Sequence, residues 1–116
     1  MNTRIALAAC ALLTASAALG EEPSAPVTGD KLDAKHGAKV YRSACAGCHD
    51  KGKEGAPRLD QPGSWKSRSF ESFSVMENHA RGGFLKMPPK GRRPLLSDRD
   101  VADAVFYMTQ RLEGGK

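Results

Sequence analysis

The 116-residue sequence has few of the residues that usually build a large apolar core. It contains one Trp, two Tyr and four Phe, against 12 Gly and 7 Pro. A chain of this length forms one small domain rather than several. Because a domain with so little aromatic mass buries little apolar surface, we expect a disulfide, a metal or a cofactor to contribute to its stability.

Charge is absent from the N-terminal segment after Arg4, where an alanine-rich apolar run extends to Gly20. One basic residue, an apolar run and small residues before the first acid, Glu21, are typical of a secretory signal peptide. The sequence therefore predicts that residues 1–20 are a signal peptide cleaved after about Gly20, and that the protein is periplasmic. An uncleaved anchor is the alternative, but the run is shorter than the about 20 residues of a bilayer span, so we expect no stable membrane insertion of the mature chain.

Cysteine is also scarce, since the sequence has three and Cys10 lies within the predicted signal peptide. Leu7 to Cys10 resembles a lipoprotein acylation site, but the apolar run before Cys10 is too short to favour lipidation. The mature chain then keeps Cys45 and Cys48 alone. A disulfide framework of the kind that stabilises small exported domains is excluded.

Strand-type alternation of polar and apolar residues is missing throughout, so we predict an all-α domain. Residues 21–30 are polar and Pro-containing and predict a flexible leader. The folded domain is predicted at 31–112, followed by a C-terminal tail at 113–116.

Helical periodicity predicts three helices. The first spans 31–46 with Asp30 as its N-cap. Gly37 inside this helix costs stability, a cost most simply offset if another helix crosses closely there. The second helix begins with Ser69 as its cap and ends at Gly82. The third begins with Ser97 as its cap and carries an apolar stripe from Val101 to Leu112.

Two long segments between these helices, 50–67 and 84–96, are rich in Gly, Pro and charge and show no helical or strand period. Loops of this length in a compact domain are usually functional. We therefore expect them to wrap around a cofactor.

The strongest motif is Cys45-Ala46-Gly47-Cys48-His49. The spacing C-x-x-C-H indicates c-type haem attachment. Residues i and i+3 share one helix face, so both sulfurs can reach one edge of a porphyrin, and the following His can bind the iron.

The motif has three other interpretations. A zinc site would need further ligands from His36, His79 or a carboxylate, because the mature chain has no third Cys. A thioredoxin-like site would need a βαβ context and a helix that follows the first Cys. A vicinal disulfide between Cys45 and Cys48 is chemically possible.

A haem iron bound by one His needs a sixth ligand or has an open position. Met76 and Met108 lie in helical stripes typical of core residues, and His36 and His79 lie within predicted helices. Met87 instead lies in an irregular segment, with Pro88-Pro89 after it and Gly82-Gly83 before it. A stiffened loop of this kind can hold a thioether against a metal, so Met87 is the preferred candidate.

These motifs together resemble a class I c-type cytochrome, in particular the bacterial cytochrome c5 group. The resemblance runs from about residue 37 to residue 112. It rests on C-x-x-C-H at 45–49, Gly-Ala-Pro-Arg-Leu at 55–59, Trp65, Met-Pro-Pro-Lys-Gly at 87–91 and Leu-Ser-Asp at 96–98. One departure is that some members of the group carry an additional cysteine pair that this mature chain lacks.

The resemblance implies a small class I cytochrome c fold, in which three to four helices and long loops surround one haem attached through Cys45 and Cys48. His49 and Met87 would be the iron ligands. The Pro57 carbonyl would accept a hydrogen bond from the second nitrogen of His49. Trp65 would pack near the haem propionates. The terminal helices would cross near Gly37 and Tyr107.

Positive charge is concentrated between Lys51 and Arg93, within a chain of formal net charge +5. Nucleic acid is a poor partner for an exported protein, so the basic segment favours a redox partner with an acidic face. Candidate steering residues close to Met87 are Lys86, Lys90, Arg92 and Arg93. The sequence thus predicts a non-enzymatic one-electron carrier between respiratory redox proteins, or alternatively a haem-based sensor of small ligands with an open or displaceable sixth position.

Overall fold

The computed structural model describes residues 32–68 and 72–114. Its helices are α1 (Ala34–Val40), α2 (Ala46–His49), α3 (Phe73–Gly82) and α4 (Asp98–Gly114). Three 3₁₀ turns, at Lys53–Gly55, Pro62–Trp65 and Pro89–Arg92, interrupt the long connections. Within the described residues no strand forms, and Phe84 and Met87 make an isolated antiparallel bridge. The all-α prediction is confirmed.

The first helix differs from the prediction at both ends. Its N-cap is Asp33, whose carboxylate accepts hydrogen bonds from the backbone N–H groups of Lys35 and His36, whereas Asp30 lies outside the described residues. α1 also continues, through a wider π-helical turn at Tyr41–Cys45, into α2. The helical path therefore ends at His49 rather than at the predicted Ala46, and Gly52, with φ +70°, follows its last turn.

The second helix begins at Phe73 with Ser72 as its N-cap, because the Ser72 hydroxyl accepts a hydrogen bond from the Val75 N–H at 3.4 Å. The predicted cap Ser69 lies outside the described residues. In α4, Ser97 is the cap as predicted. Its hydroxyl accepts from the Asp100 N–H at 3.0 Å, while the Asp100 carboxylate accepts from the Ser97 N–H at 2.8 Å. This reciprocal arrangement is a capping box.

The core lies where α1 crosses α4. A Cβ at Gly37 would lie 1.9 Å from the carbonyl oxygen of Asp103, so only glycine permits this close approach. The rings of Tyr41 and Tyr107 pack beside the crossing with centroids 5.4 Å apart. The predicted crossing near Gly37 is thus observed. The buried side of α4 that faces it includes Val101, Ala104, Val105 and Met108.

Asp103 is buried in the middle of this apolar stripe, which the periodicity did not predict. Its carboxylate accepts a hydrogen bond from the Asp33 backbone N–H at 2.9 Å and another from Arg99 Nε at 2.9 Å. A buried carboxylate is tolerated when it is paired and hydrogen-bonded in this way. Asp103 therefore fixes the start of α1 against α4.

Candidate haem site

A cavity of about 510 Å³ opens between α3, α4 and the segments that follow α2. This volume lies within the about 300–1,000 Å³ that is common for cofactor sites. Its lining includes Cys48, His49, Pro57, Trp65 and Met87. A smaller cavity beside it shares several of these walls and reaches Cys45. The fold thus brings all six site residues that the sequence predicted to the borders of two adjacent cavities.

The imidazole of His49 is buried and held in one orientation. Its Nδ1 donates a hydrogen bond to the Pro57 carbonyl at 2.8 Å, the contact that the family resemblance implies. Burial lowers the pKa of His49, with a smaller contribution from the Arg68 cation. A neutral imidazole whose Nδ1 is protonated presents Nε2 as the lone-pair donor, which is the form that binds metals.

The indole of Trp65 covers one side of this imidazole. The two ring centroids lie 5.5 Å apart at an interplanar angle of 21°. The indole N–H donates to the Arg58 carbonyl at 2.8 Å, which ties the 3₁₀ turn to the segment after Pro57. Trp65 therefore contacts the histidine itself, a role that sequence reasoning did not assign.

Cys45 and Cys48 are free thiols on the helical path just before His49. Burial, with a smaller effect of the neighbouring Cys48, raises the pKa of Cys45 to about 11. Reactive redox cysteines of the thioredoxin type have lowered pKa values instead. The environment of Cys45 therefore disagrees with a thiol oxidoreductase. Among the described residues, no group of three His, Cys, Asp or Glu side chains converges to hold a metal ion.

Met87 lies on a loop that borders both cavities. The backbones of Phe84 and Met87 exchange two hydrogen bonds of 2.9 and 2.8 Å, which form a tight turn with Leu85 at φ +51°. A Cβ at Gly83 would lie 3.0 Å from Pro89 Cδ, so the two ends of this loop pack closely together. The loop is thus shaped by backbone pairing and close packing rather than by a helix.

Of the other candidate iron ligands, three line the larger cavity and His36 does not. Met76, His79 and Met108 also line the larger cavity, so their position alone does not separate them from Met87. His79 stacks on Phe84 with centroids 3.9 Å apart. His36 is placed elsewhere, because its Nε2 lies 2.7 Å from the Asp100 carboxylate at the α1–α4 contact.

Arg68 is a cavity residue that sequence reasoning missed. Its N–H donates to the Trp65 carbonyl at 2.8 Å, so the turn that carries Trp65 also brings Arg68 to the cavity wall. The signal was its spacing, since residues three apart in such a turn share one side. A guanidinium here offers a planar donor for a carboxylate.

These features fit haem c. Two free thiols precede an oriented neutral histidine, and Met87 and Arg68 line the same cavity as that histidine. The donor atoms of these residues and the residues that line the cavity match what haem ligation requires.

The basic residues near Met87 have different environments. Lys86 and Arg92 are exposed. Lys90 is partly buried, with Nζ 2.8 Å from the Leu96 carbonyl and 3.3 Å from the Asp98 carboxylate. Arg93 is exposed and donates to the Ser43 carbonyl at 3.0 Å. Lys86 and Arg92 are therefore better placed than Lys90 to meet a partner.

Comparisons with known proteins agree with this site. Residues 32–108 match the family model described as cytochrome c oxidase, cbb3-type, subunit III. Cytochrome c-555 of Prosthecochloris aestuarii is 35% identical over 91 residues, which cover 72% of this chain and 92% of that protein. Cytochrome c5 of Ectopseudomonas mendocina is 30% identical over 84 residues, which cover 71% and 87%.

A solved structure shows the same fold. The matched chain comes from a crystal structure of an electron-transfer complex of nitrite reductase with cytochrome c, and it aligns with a TM-score of 0.62 at 29% identity. The alignment covers 74% of this chain and all of the other. By sequence, fold and motif, the chain belongs to this family of small c-type cytochromes and is a class I c-type cytochrome.

Proposed function

We propose that this protein is a periplasmic monohaem cytochrome c that carries single electrons between redox proteins, with haem attached to Cys45 and Cys48 and its iron bound by His49 and Met87. The observation that carries the proposal is the oriented His49, which directly follows the two thiols and borders the same cavity as Met87. The bound haem would supply the one-electron chemistry.

The chain's own residues would prepare the site for this ligand set. Pro57 and Trp65 restrict the His49 ring from its Nδ1 edge and from one face. Burial keeps the imidazole neutral. The paired backbone of Phe84 and Met87 limits the motion of the thioether. With both ligands bound, the iron would have no position open to a substrate, which supports electron transfer rather than catalysis.

Export and partner choice follow from other features. We propose that residues 1–20, which lie outside the described residues, direct export and are cleaved. Within 32–68 and 72–114, no helix is long and apolar enough to cross a membrane. The exposed Lys86 and Arg92 support docking to an acidic redox partner. The cytochrome c in the similar structure is complexed with nitrite reductase, which supports a redox enzyme as the partner class.

An optical spectrum tests the ligand set. The full chain is expressed together with a haem-attachment system. The mass of the purified protein and its oxidised and reduced spectra are then recorded. We expect one covalent haem, sharp reduced c-type bands and the weak far-red band of ferric iron bound to methionine. Met87→Ala should abolish the far-red band and allow the reduced protein to bind carbon monoxide, whereas the control Met76→Ala should retain the band.

The outcomes separate the alternatives. Carbon monoxide binding by the wild-type protein without a methionine band favours a haem-based ligand sensor. Loss of the far-red band in Met76→Ala rather than in Met87→Ala would assign the sixth ligand to Met76 of α3. A colourless protein without a mass increment, despite competent attachment machinery, contradicts the cytochrome proposal.

A further inference from the structure

Three consecutive residues after Met87-Pro88-Pro89 have left-handed backbones. Lys90 has φ +53°, Gly91 has φ +59° and Arg92 has φ +64°. This conformation is unfavourable for any residue with a Cβ, so Lys90 and Arg92 adopt it at a cost. Strained backbones persist where surrounding contacts impose them, and such strain often lies close to functional sites.

The contacts that hold this turn come from a carboxylate at the start of α4. Asp98 Oδ1 lies 3.3 Å from Lys90 Nζ, and Asp98 Oδ2 lies 3.3 Å from Arg81 Nη1 at the end of α3. The Lys90 ammonium also donates to the Leu96 carbonyl at 2.8 Å. We call Arg81, Asp98 and Lys90 the Asp98 clasp. All three side chains are partly buried, which reduces solvent screening of their attraction.

Arg81 and Lys90 of the clasp lie before and after Met87 in the sequence. Arg81 precedes the paired Phe84–Met87 turn, and Lys90 follows it, so one carboxylate joins both ends of the loop to α4. On its other side the loop rests on the segment before Cys45, since a Cβ at Gly91 would lie 2.2 Å from the Ala44 carbonyl oxygen. The loop is therefore held between α4 and the helical path that carries the cysteines.

The arginine of the clasp has a second anionic neighbour. Glu77 is buried in α3, and its Oε1 lies 3.7 Å from Arg81 Nε. This separation is too long for a hydrogen bond, whereas the contacts of Asp98 join three elements. Asp98 is thus the group whose removal would release the loop most directly.

We propose that Asp98 is a positioning residue that, through Lys90 and Arg81, holds the Met87 loop against the haem iron and so sets how readily the methionine is displaced. The proposal rests on the ligand set of the proposed function. Asp98 acts through Arg81 and Lys90, by restraining the backbone that presents Met87.

Displacement of methionine by imidazole measures this effect in the haem-containing full chain. We expect Asp98→Asn to weaken the far-red methionine band and to increase the affinity of the ferric protein for imidazole about tenfold, since hydrogen bonds to charged groups have effects of this size. Lys90→Ala should act in the same direction. The imidazole affinity of the double variant should be only slightly higher than that of the stronger single variant, because both substitutions remove the same contact between Asp98 and Lys90.

Asp100→Asn is the matched control. Asp100 occupies the same first turn of α4, but it contacts His36 and Ser97 rather than the methionine loop. We expect this variant to lower the resistance to denaturant while leaving the methionine band and the imidazole affinity as in the wild type. A general loosening of α4 would instead change imidazole binding in both aspartate variants.

Each result decides the proposal. Unchanged imidazole affinity in Asp98→Asn, or equal changes in Asp98→Asn and Asp100→Asn, overturns the positioning role while leaving the His49–Met87 ligation intact. A wild-type protein without the methionine band overturns the ligation and this proposal together. If Asp98→Asn fails to fold, Lys90→Ala and its imidazole affinity decide the same question.

Discussion

At the scale of single residues, neighbouring groups restrict the orientation of the side chain that would bind the metal. His49 is oriented by a backbone carbonyl and covered by an indole, so the ring loses little further freedom when it binds a metal. Preorganisation of this kind reduces the entropic cost of ligation. Gly91 has a comparable role in the methionine loop, because it combines a left-handed backbone with close contact to Ala44.

Gly91→Ala should therefore be strongly destabilising. The left-handed conformation alone costs alanine about 1 kcal/mol, and the overlap with the Ala44 carbonyl should bring the loss of unfolding free energy to about 3 kcal/mol. Gly52→Ala is the control, since Gly52 also has a positive φ but a Cβ there would meet the Arg58 side chain at an ordinary 3.4 Å. Denaturant titration of both variants measures the difference. Equal losses of unfolding free energy in the two variants would contradict the close contact between Gly91 and Ala44.

At the scale of elements, the contact of α1 with α4 organises the domain. Gly37 allows the backbones to touch, and two carboxylates of α4, Asp100 and Asp103, bind groups at the start of α1. These contacts join residues 64 and 70 positions apart. Contacts between protein groups alone thus fix the helical path that bears the cysteines to α4.

Gly37→Ala tests this crossing. In an unobstructed helix the change from glycine to alanine stabilises by up to about 1 kcal/mol. Here the new methyl group would overlap the Asp103 carbonyl, so we expect the unfolding free energy to fall by about 2–3 kcal/mol. Gly82→Ala, at the end of α3 with open space around its Cβ position, should be neutral or slightly stabilising. A stabilised Gly37→Ala variant would show that the helices can separate at little cost.

The Asp100 contact also predicts a pH dependence. The hydrogen bond with His36, followed by those with Ser97, lowers the pKa of Asp100 below its usual value. A carboxyl group with a lowered folded-state pKa stabilises the protein above its unfolded-state pKa of about 3.9, and this contribution is lost as the pH falls through the folded-state value.

Unfolding free energies of wild type and Asp100→Asn across pH 2–7 would measure this contribution. We expect the wild type to be more stable near neutrality, with a gap that closes at acid pH as Asp100 becomes protonated in both states. The Asp33 carboxylate, which accepts a hydrogen bond from the His36 backbone N–H, is unchanged in both proteins. A gap that is constant at all pH values would mean that the Asp100 charge contributes nothing.

At the scale of the whole molecule, the formal net charge of +5 favours attraction to acidic surfaces. Among the basic residues near Met87, Lys86 and Arg92 project into solvent, whereas Lys90 belongs to the Asp98 clasp. Replacement of Lys90 would therefore disturb the methionine loop as well as the surface charge. A test of steering should leave Lys90 in place.

We expect Lys86→Glu, and more strongly Lys86→Glu with Arg92→Glu, to slow electron exchange with an acidic redox protein about tenfold at low salt. The difference should shrink as the ionic strength rises, because salt screens exposed charges. Lys35→Glu, on the exposed surface of α1, changes the net charge equally and should have a smaller effect. Stopped-flow rates at several salt concentrations measure this. Equal rates for the two single variants would assign the effect to net charge alone.

Prediction from sequence succeeded where the signal is local. The Ser97 cap of α4 and the apolar stripe of that helix depend on residues within a few turns, and the structure shows the cap and the buried stripe residues. The start of α1 was predicted at Asp30, and the observed cap is Asp33, which also donates its backbone N–H to Asp103 in a distant helix. That contact is invisible to a local pattern, because either aspartate satisfies the capping preference equally well.

By itself, the sequence determined the chemistry available to this protein: two thiols and a histidine in C-x-x-C-H spacing, a methionine between proline and glycine pairs, and helices with apolar stripes. Spacing along a helix decides which side chains share a face, so these inferences need no tertiary information. Only the tertiary structure decided that Arg68 borders the cavity, that Asp103 is buried in the core and that Lys90 is held by Asp98. These facts depend on charges and carbonyls that meet after distant segments pack, and their energies are set by the burial that packing creates.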